Sequence, residues 1–389
     1  MLRTVRVLAA AVVALSLGAG AATAQTGGTI AIGYTGPLSG GAAAYGQDVQ
    51  RGIQMAIDEV NAEGGVTVGG KKQQLRLVSL DDQYRPNEAQ NNAKRLAQQE
   101  HAPIVFCPHS GGILAIEDFN AKDDPKFVLA AYTSDPAILK KNDTMMVMLP
   151  PSFDEYFKPY AQTEMKRFGK KLGLLTTTTA YGNAWVKGFS DAWKAAGGTV
   201  LSNNGVDYNT TTDFSTAVSK ALSEKPDVLL IGGPSQPTGL VIKAARDQGF
   251  NGGFAILDQA KFDQIQQVIP LSRLEGSIGV LPFTENTGPG IKPFLDAYSK
   301  KYGNTRPAVS EEGVNYLAMH VFANAITMAN STDPAAIMAK MHQAAQSLPG
   351  KYQPLAIHGI SKSGHLLIDA FAAVVDRSKY STVALAFTE

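Results

Sequence analysis

Residues 29–65 read TIAIGYTGPLSGGAAAYGQDVQRGIQMAIDEVNAEGG. A β-type run carrying Ile30, Ile32 and Tyr34 enters a loop rich in Gly and Ser, whose one aromatic residue is Tyr45. Beyond it Val49, Ile53, Ile57 and Val60 recur at spacings of four, four and three, which puts one apolar stripe on a helix. Gly64 and Gly65 end that helix. Strand, small-residue loop and helix form the unit that holds a binding loop at the carboxyl edge of a parallel sheet, with the free N–H groups of the helix's first turn pointing into the loop.

The unit recurs along the chain. A strand through Leu75, Leu77 and Leu80 ends in Asp81-Asp82-Gln83-Tyr84-Arg85-Pro86, and Asn87 is placed to cap a helix whose Ala89, Ala93, Leu96 and Ala97 share a face. Strand 104–106 ends in Cys107-Pro108-His109-Ser110-Gly111-Gly112, and strand 127–131 ends in Tyr132-Thr133-Ser134-Asp135-Pro136. A β-type run at 145–149 is stopped by Pro150-Pro151, after which the pattern restarts. Strands are expected at 172–175, 200–208, 226–231, 254–257 and 276–280, with loops at 176–182, at Gly232-Gly233-Pro234-Ser235 and at Asp258-Gln259. From Phe283 onward the pattern gives helices near 294–302, 313–328 and 335–345, then a closing β stretch at 366–375. The expectation is an α/β chain of two doubly wound parallel-sheet lobes, each covered by helices on both faces. Lobe 1 would comprise 25–149 plus 283–363 and lobe 2 150–282 plus 364–389, so several parallel crossings would act as a hinge.

With 389 residues the chain is comfortable for two domains. Hydrophobic residues at 44% against 18% charged allow large cores and exclude a disordered chain. Arg3 and Arg6, an apolar run at 7–17 and Ala22-Thr23-Ala24 read as a cleaved signal peptide over 1–24. The run dissolves into Gly and Ala before the roughly 20 residues that a membrane span needs. Removing 1–24 takes away two arginines and no acids, which moves the formal charge from +1 to −1. A near-neutral exported chain with no basic run has no electrostatic footprint for nucleic acid. Cys107 is the single cysteine, so no internal disulfide forms and no cysteine stands at the cleavage site to carry a lipid. The expected compartment is a bacterial periplasm.

Catalytic motifs are missing. His109-Ser110-Gly111-Gly112 lacks the Gly-x-Ser-x-Gly frame of a nucleophile elbow. There is no Walker loop and no Gly-x-Gly-x-x-Gly. The six histidines are scattered, so Asp81-Asp82 has no histidine cluster with which to hold a metal. Trp185 and Trp193, eight apart on one helix, and Met145, Met146 and Met148 read as packing. No enzyme, cofactor or metal is expected.

The run Ile32-Gly33-Tyr34-Thr35-Gly36-Pro37-Leu38-Ser39-Gly40, the Gly46 helix to Asn61-Ala62-Glu63-Gly64-Gly65, Asp81-Asp82 with Pro86, Tyr181-Gly182, Asp213-Phe214, and Pro226-Asp227 before Gly232-Gly233 occur in order over essentially the whole mature chain. In these motifs the sequence resembles the branched-chain amino-acid-binding protein family, the type I solute-binding proteins of ABC transporters. The resemblance implies a type I periplasmic-binding-protein fold with a small amino acid or organic carboxylate held between the lobes. Its partners would be ABC permease subunits in the membrane, and the protein itself a monomer. A ligand-sensing role through a receptor is the alternative.

The family's site falls on Tyr45 over the ligand, on Ser110 at its carboxylate with His109 beside it, and on backbone and hydroxyl contacts among Tyr132, Thr133 and Ser134. In the second lobe it falls on Tyr181, on the neighbourhood of Ser235, and on Asp258 or Gln259. Relatives that bind α-amino acids pair the ammonium with an acid where direct alignment puts Gln259. If Gln259 faces the cleft the ammonium loses its charge partner, and if Asp258 does an amino acid is retained. A hydroxyl followed by two glycines and a helix can satisfy a carboxylate without a full counter-charge.

Overall fold

The computed structural model describes residues 27–385 apart from 121, 123–125 and 142, so the expected signal segment 1–24 lies outside the described residues. The opening unit is strand β1 (Gly27–Gly36) followed by helix α1 (Ala43–Ala62). Then come β2 (Val66–Val68), β3 (Lys71–Asp81), α2 (Pro86–Gln99), β4 (Ile104–Cys107), α3 (Ser110–Asn120), β5 (Val128–Ala131) and β6 (Met146–Met148). These strands make one sheet in the order β2-β3-β1-β4-β5-β6, parallel except for the β2–β3 hairpin. Gly69 and Gly70 turn that hairpin at φ 58° and 74°, a left-handed pair that glycine adopts freely.

The second half repeats the plan. Helix α4 (Asp154–Arg167) leads to β7 (Lys171–Thr176), α5 (Ala180–Ala195), β8 (Thr199–Asn203), α6 (Ser215–Ser223), β9 (Val228–Gly232), α7 (Ser235–Asp247), β10 (Gly253–Ile256), the short α8 (Phe262–Ile265) and β11 (Ser277–Val280). Helices α9 (Ile291–Tyr302) and α10 (Ser310–Ala329) return to the first lobe. The hairpin β12 (Ile357–Ile360) and β13 (Leu366–Ile368) follows, and β14 (Phe371–Asp376) and β15 (Lys379–Ala384) close the second sheet, ordered β15-β14-β11-β10-β9-β7-β8.

Each central strand is apolar on both faces and feeds two cores, as a parallel sheet covered on both sides requires. Ile104 and Phe106 point into the core shared with α1 and α10, while Val105 and Cys107 point into the one beneath α2 and α3. Leu229 and Ile231 divide from Val228 and Leu230 in the same way. The α1 stripe of Val49, Ile53, Ile57 and Val60 lies in the first of these cores.

Three segments cross between the lobes: after β6, after β11, and between β13 and β14. The second and third bond to each other, since Leu281 N–H donates to Phe371 O at 3.0 Å, and the first is held at Pro150 O by the His365 ring, just before β13, at 2.8 Å. The stretch expected as one strand at 366–375 is two, one for each lobe. Leu366 and Ile368, beyond the 363/364 boundary read from sequence, pack in the first core, whereas Ala370 and Ala372 pack in the second.

Other expectations shift by a few residues. β8 stops at Asn203 because that side chain accepts the Gly205 N–H at 2.9 Å in a turn, and pairing resumes only as a Thr177–Val206 bridge. Helix α2 starts at Pro86 without a side-chain cap, so Asn87 sits inside it. The expected helix at 335–345 is two short ones, Pro334–Met338 and Met341–Gln346. No helix of the described residues is long and apolar enough to cross a membrane.

Candidate functional site

The loops at the carboxyl ends of β4 and β5 face those before α5 and after β10 across the gap between the lobes. They enclose a cavity of about 320 Å³, part of it open to solvent. Tyr45, His109, Ser110, Tyr132, Thr133, Ser134, Tyr181, Asp258 and Gln259 all line it. Ser235, also expected there, does not. Its hydroxyl accepts the Lys261 N–H at 3.0 Å and lies on a neighbouring interlobe groove with Gln264 and Arg306.

Two matching Tyr-Gly pairs bring one ring from each lobe. A Cβ on Gly46 would stand 1.8 Å from Pro37 O, and one on Gly182 1.9 Å from Thr177 O. Each helix start therefore presses on the loop before it, which only glycine permits. The close approach fixes Tyr45 and Tyr181 at the cleft. Burial raises both phenols well above their ordinary value, with the Asp258 charge adding to it at Tyr181, so both stay protonated and act as donors. Tyr45 OH donates to Pro108 O at 2.6 Å.

In the first-lobe wall the β4–β5 register brings Cys107 beside Ala131 and so sets Ser110 next to Thr133. Their hydroxyls are 2.7 Å apart, and Ser134 Oγ beside them is buried with no partner. The His109 ring lines the cavity, but both its nitrogens are engaged. Gly112 N–H donates to Nδ1 at 3.0 Å, so the proton sits on Nε2 and points to Asp82 Oδ2, also at 3.0 Å. Asp82 takes Thr35 Oγ1–H and the Tyr84 N–H as well. Asp82, Cys107 and His109 are the one grouping of three or more His, Cys, Asp or Glu among the described residues with ligand atoms within 4.8 Å of one another, and its imidazole is already satisfied by protein groups.

In the second-lobe wall Asp258 and Gln259 both line the cavity, in different ways. Asp258 Oδ1 accepts Tyr181 OH at 2.5 Å and Trp185 Nε1–H at 2.9 Å, so this carboxylate is held from behind by two rings. Trp185 is fully buried, as its packing role requires, and its indole also orients a cleft residue. Gln259 N–H donates to Tyr181 OH at 3.1 Å, and its side-chain Oε1 is buried without a partner.

Sequence reasoning missed five lining residues: Pro108 and Pro150, and the polar Tyr84, Lys261 and Glu311. Tyr84 stacks on His109 with centroids 4.6 Å apart and accepts from Gln259 Nε2 across the cleft at 3.2 Å. It stands in the loop after β3, where Gln83 and Tyr84 take φ of 54° and 62°. Lys261 Nζ meets Glu311 Oε1 at 3.0 Å across the lobes and also donates to Asp258 O. Burial raises Glu311 above its ordinary value while Lys261 pulls it down. A Glu pair opening an apolar helix carries an ordinary dipole reading in sequence, and nothing local shows that α10 aims Glu311 into a cleft.

Three kinds of comparison bear on this geometry. A family model described as "Periplasmic binding protein" matches residues 29–379. The chain is 28% identical over 327 residues to the Leu/Ile/Val-binding protein BraC3 of Rhizobium johnstonii, covering 82% of this chain and 85% of that protein. Among solved structures, the branched-chain amino acid transporter substrate-binding protein LivJ of Streptococcus pneumoniae, in complex with isoleucine, superposes with a TM-score of 0.75. It is 22% identical and covers 92% of this chain and 99% of that one. An ABC-transporter solute-binding protein from R. palustris in complex with benzoate gives 0.77 at 18% identity, covering 93% and 98%. At these identities the structural matches establish the fold.

Proposed function

This chain belongs to the periplasmic binding protein family, and from that premise we propose that it captures a small amino acid or organic carboxylate for an ABC importer. The observation that carries this reading is a cavity built from both lobes, with buried polar atoms on each wall that have no protein partner: Ser134 Oγ on one and Gln259 Oε1 on the other. Such atoms cost free energy unless something pairs with them. Ser110 at the start of α3 and Thr133 in the loop after β5 would receive the carboxylate, Tyr45 and Tyr181 would cover the ligand from the two lobes, and the Asp258-Gln259 loop would complete the second wall. Closure of the two lobes about the crossings would bury the ligand, and the closed form, a monomer, would be presented to the permease.

Mass spectrometry of ligand released from the purified protein, a thermal-shift panel of amino acids and aryl acids, and scattering dimensions with and without ligand test the proposal. Binders raise the melting temperature and compact the protein. A panel in which no member changes either quantity refutes it.

A further inference from the structure

Among the described residues, no Leu, Ile, Val, Met or Ala lines the interlobe cavity. Its apolar surface comes from tyrosine rings, two prolines and the methyl of Thr133, and hydroxyl, imidazole, amide and charged groups line the rest. Three of these bear on ligand chemistry. Gln259 Oε1 and Glu311 Oε2 are buried acceptors without hydrogen-bond partners, on residues 7% and 2% exposed. Lys261 spans the lobes to the other Glu311 oxygen at 3.0 Å.

Acceptor-only atoms require donors. Resting on the binding-protein reading above, we infer that the ligand is a compact amino acid or amide with a polar tail, whose N–H or O–H groups reach Gln259 Oε1 and Glu311 Oε2, and that leucine, isoleucine and valine are not its ligands. The names of the Leu/Ile/Val-binding relatives point the other way, but an aliphatic tail laid against the Lys261–Glu311 pair would strip its remaining water and return no hydrogen bond. A site whose buried polar groups need partners rejects analogues that lack them far more strongly than an apolar pocket rejects an extra methylene. The same unpaired acceptors disfavour a benzoate-like ligand, which brings only acceptors. A second cavity of about 480 Å³ adjoins, walled by the three crossings through Pro151, Leu281 and Phe371 and more apolar. Tyr132, Pro150, Asp258 and Lys261 line both cavities, so an apolar tail that reaches the second passes the Lys261 ammonium and the Asp258 carboxylate.

The test is calorimetry on the full mature protein, dialysed free of co-purified ligand. L-serine, L-threonine, L-asparagine, L-glutamine and acetamide are compared with L-leucine, L-isoleucine, L-valine, L-norleucine and benzoate. At least one polar probe is expected to bind about a hundredfold more tightly than any of the second group. The double variant Lys261→Met/Glu311→Leu is expected to narrow that gap at least tenfold. An aliphatic or aryl probe binding as tightly as the best polar one overturns this inference and leaves the binding-protein reading intact, whatever the variant does. Silence from every probe, with scattering dimensions unchanged, overturns both.

Discussion

Replacing Tyr181 by Phe isolates one oxygen. The ring stays, edge-on to Phe153 at 6.2 Å, and so does any face it offers a ligand. The lost hydroxyl serves two partners: it donates to Asp258 Oδ1 at 2.5 Å and accepts the Gln259 N–H at 3.1 Å. A hydrogen bond to a charged group contributes about 1.5–3 kcal/mol, and a buried N–H left unpaired costs about 1–3 kcal/mol. Trp185 Nε1 still holds the same Asp258 oxygen at 2.9 Å, and a water can enter where the hydroxyl was, so the sum is an upper bound. The expected loss is about 2–4 kcal/mol of second-lobe stability in urea denaturation followed by tryptophan fluorescence. Ligand affinity is expected to fall about tenfold or more, since about 1.4 kcal/mol of loop misplacement is a factor of ten. If Tyr181 acted only through its ring, the Phe variant would bind normally. Stability within about 0.5 kcal/mol of wild type together with unchanged affinity refutes the assignment of this hydroxyl as the clamp on the Asp258-Gln259 loop.

Three further outcomes follow from the same contacts. Ser110→Ala is expected to weaken a carboxylate ligand by about 1–3 kcal/mol in calorimetry, and an unchanged affinity moves Ser110 out of the site. Gln264→Ala removes an amide that reaches across the lobes to Asp48 Oδ2 at 2.6 Å; the ligand-free protein should expand in solution scattering, and identical curves would show that this contact does not hold the lobes together. Glu164 is fully buried with one carboxylate oxygen unpartnered, and burial pushes it from an ordinary 4.5 up to about 8 despite Arg167. The folded state then keeps a proton that the unfolded state has lost, so stability falls as pH rises from 4.5 toward about 8. Glu164→Gln abolishes that titration and should lose less stability than wild type between pH 5 and pH 8, by on the order of 1–3 kcal/mol; equal pH slopes for the two proteins would exclude the buried-acid account.

The fold was legible because its signals are local. The α1 stripe, the short apolar strands and the glycines at helix ends each act within a few residues, and the strand ends carry the cleft loops by topology alone. Nine of the ten expected site residues line one cavity for that reason. Lys261 and Glu311 were not legible, because their pairing joins a loop after β10 to a helix 50 residues later and in the other lobe. Ser235 came to the expected site by resemblance alone, at a position that is aromatic in some relatives, and here its hydroxyl holds the Lys261 N–H outside the cavity lining. The question of Asp258 against Gln259 was posed too narrowly: both reach the cavity, one clamped by Tyr181 and Trp185 and the other bridging to Tyr84.

The contacts between the lobes fall into two groups, and the division bears on how closure and binding are coupled. Gln264 to Asp48, and Gly41 N–H to Asn209 O at 3.2 Å, lie away from the cavity lining and are indifferent to its contents. Gln259 to Tyr84 and Lys261 to Glu311 are made by lining residues, so a bound molecule either bridges these pairs or competes with them. The first group lowers the free-energy gap to the closed conformer without selecting among ligands. This reduces the fraction of binding energy spent on closing, whatever the ligand. Selection then rests on the second group: a ligand that pairs with Gln259 Oε1 and the free Glu311 oxygen adds to closure, and one that only wedges between Lys261 and Glu311 subtracts from it. Affinity and specificity are thereby carried by different residues. Mutations at Asp48 or Gln264 should rescale binding of all ligands together, whereas those at Lys261 or Glu311 should reorder them.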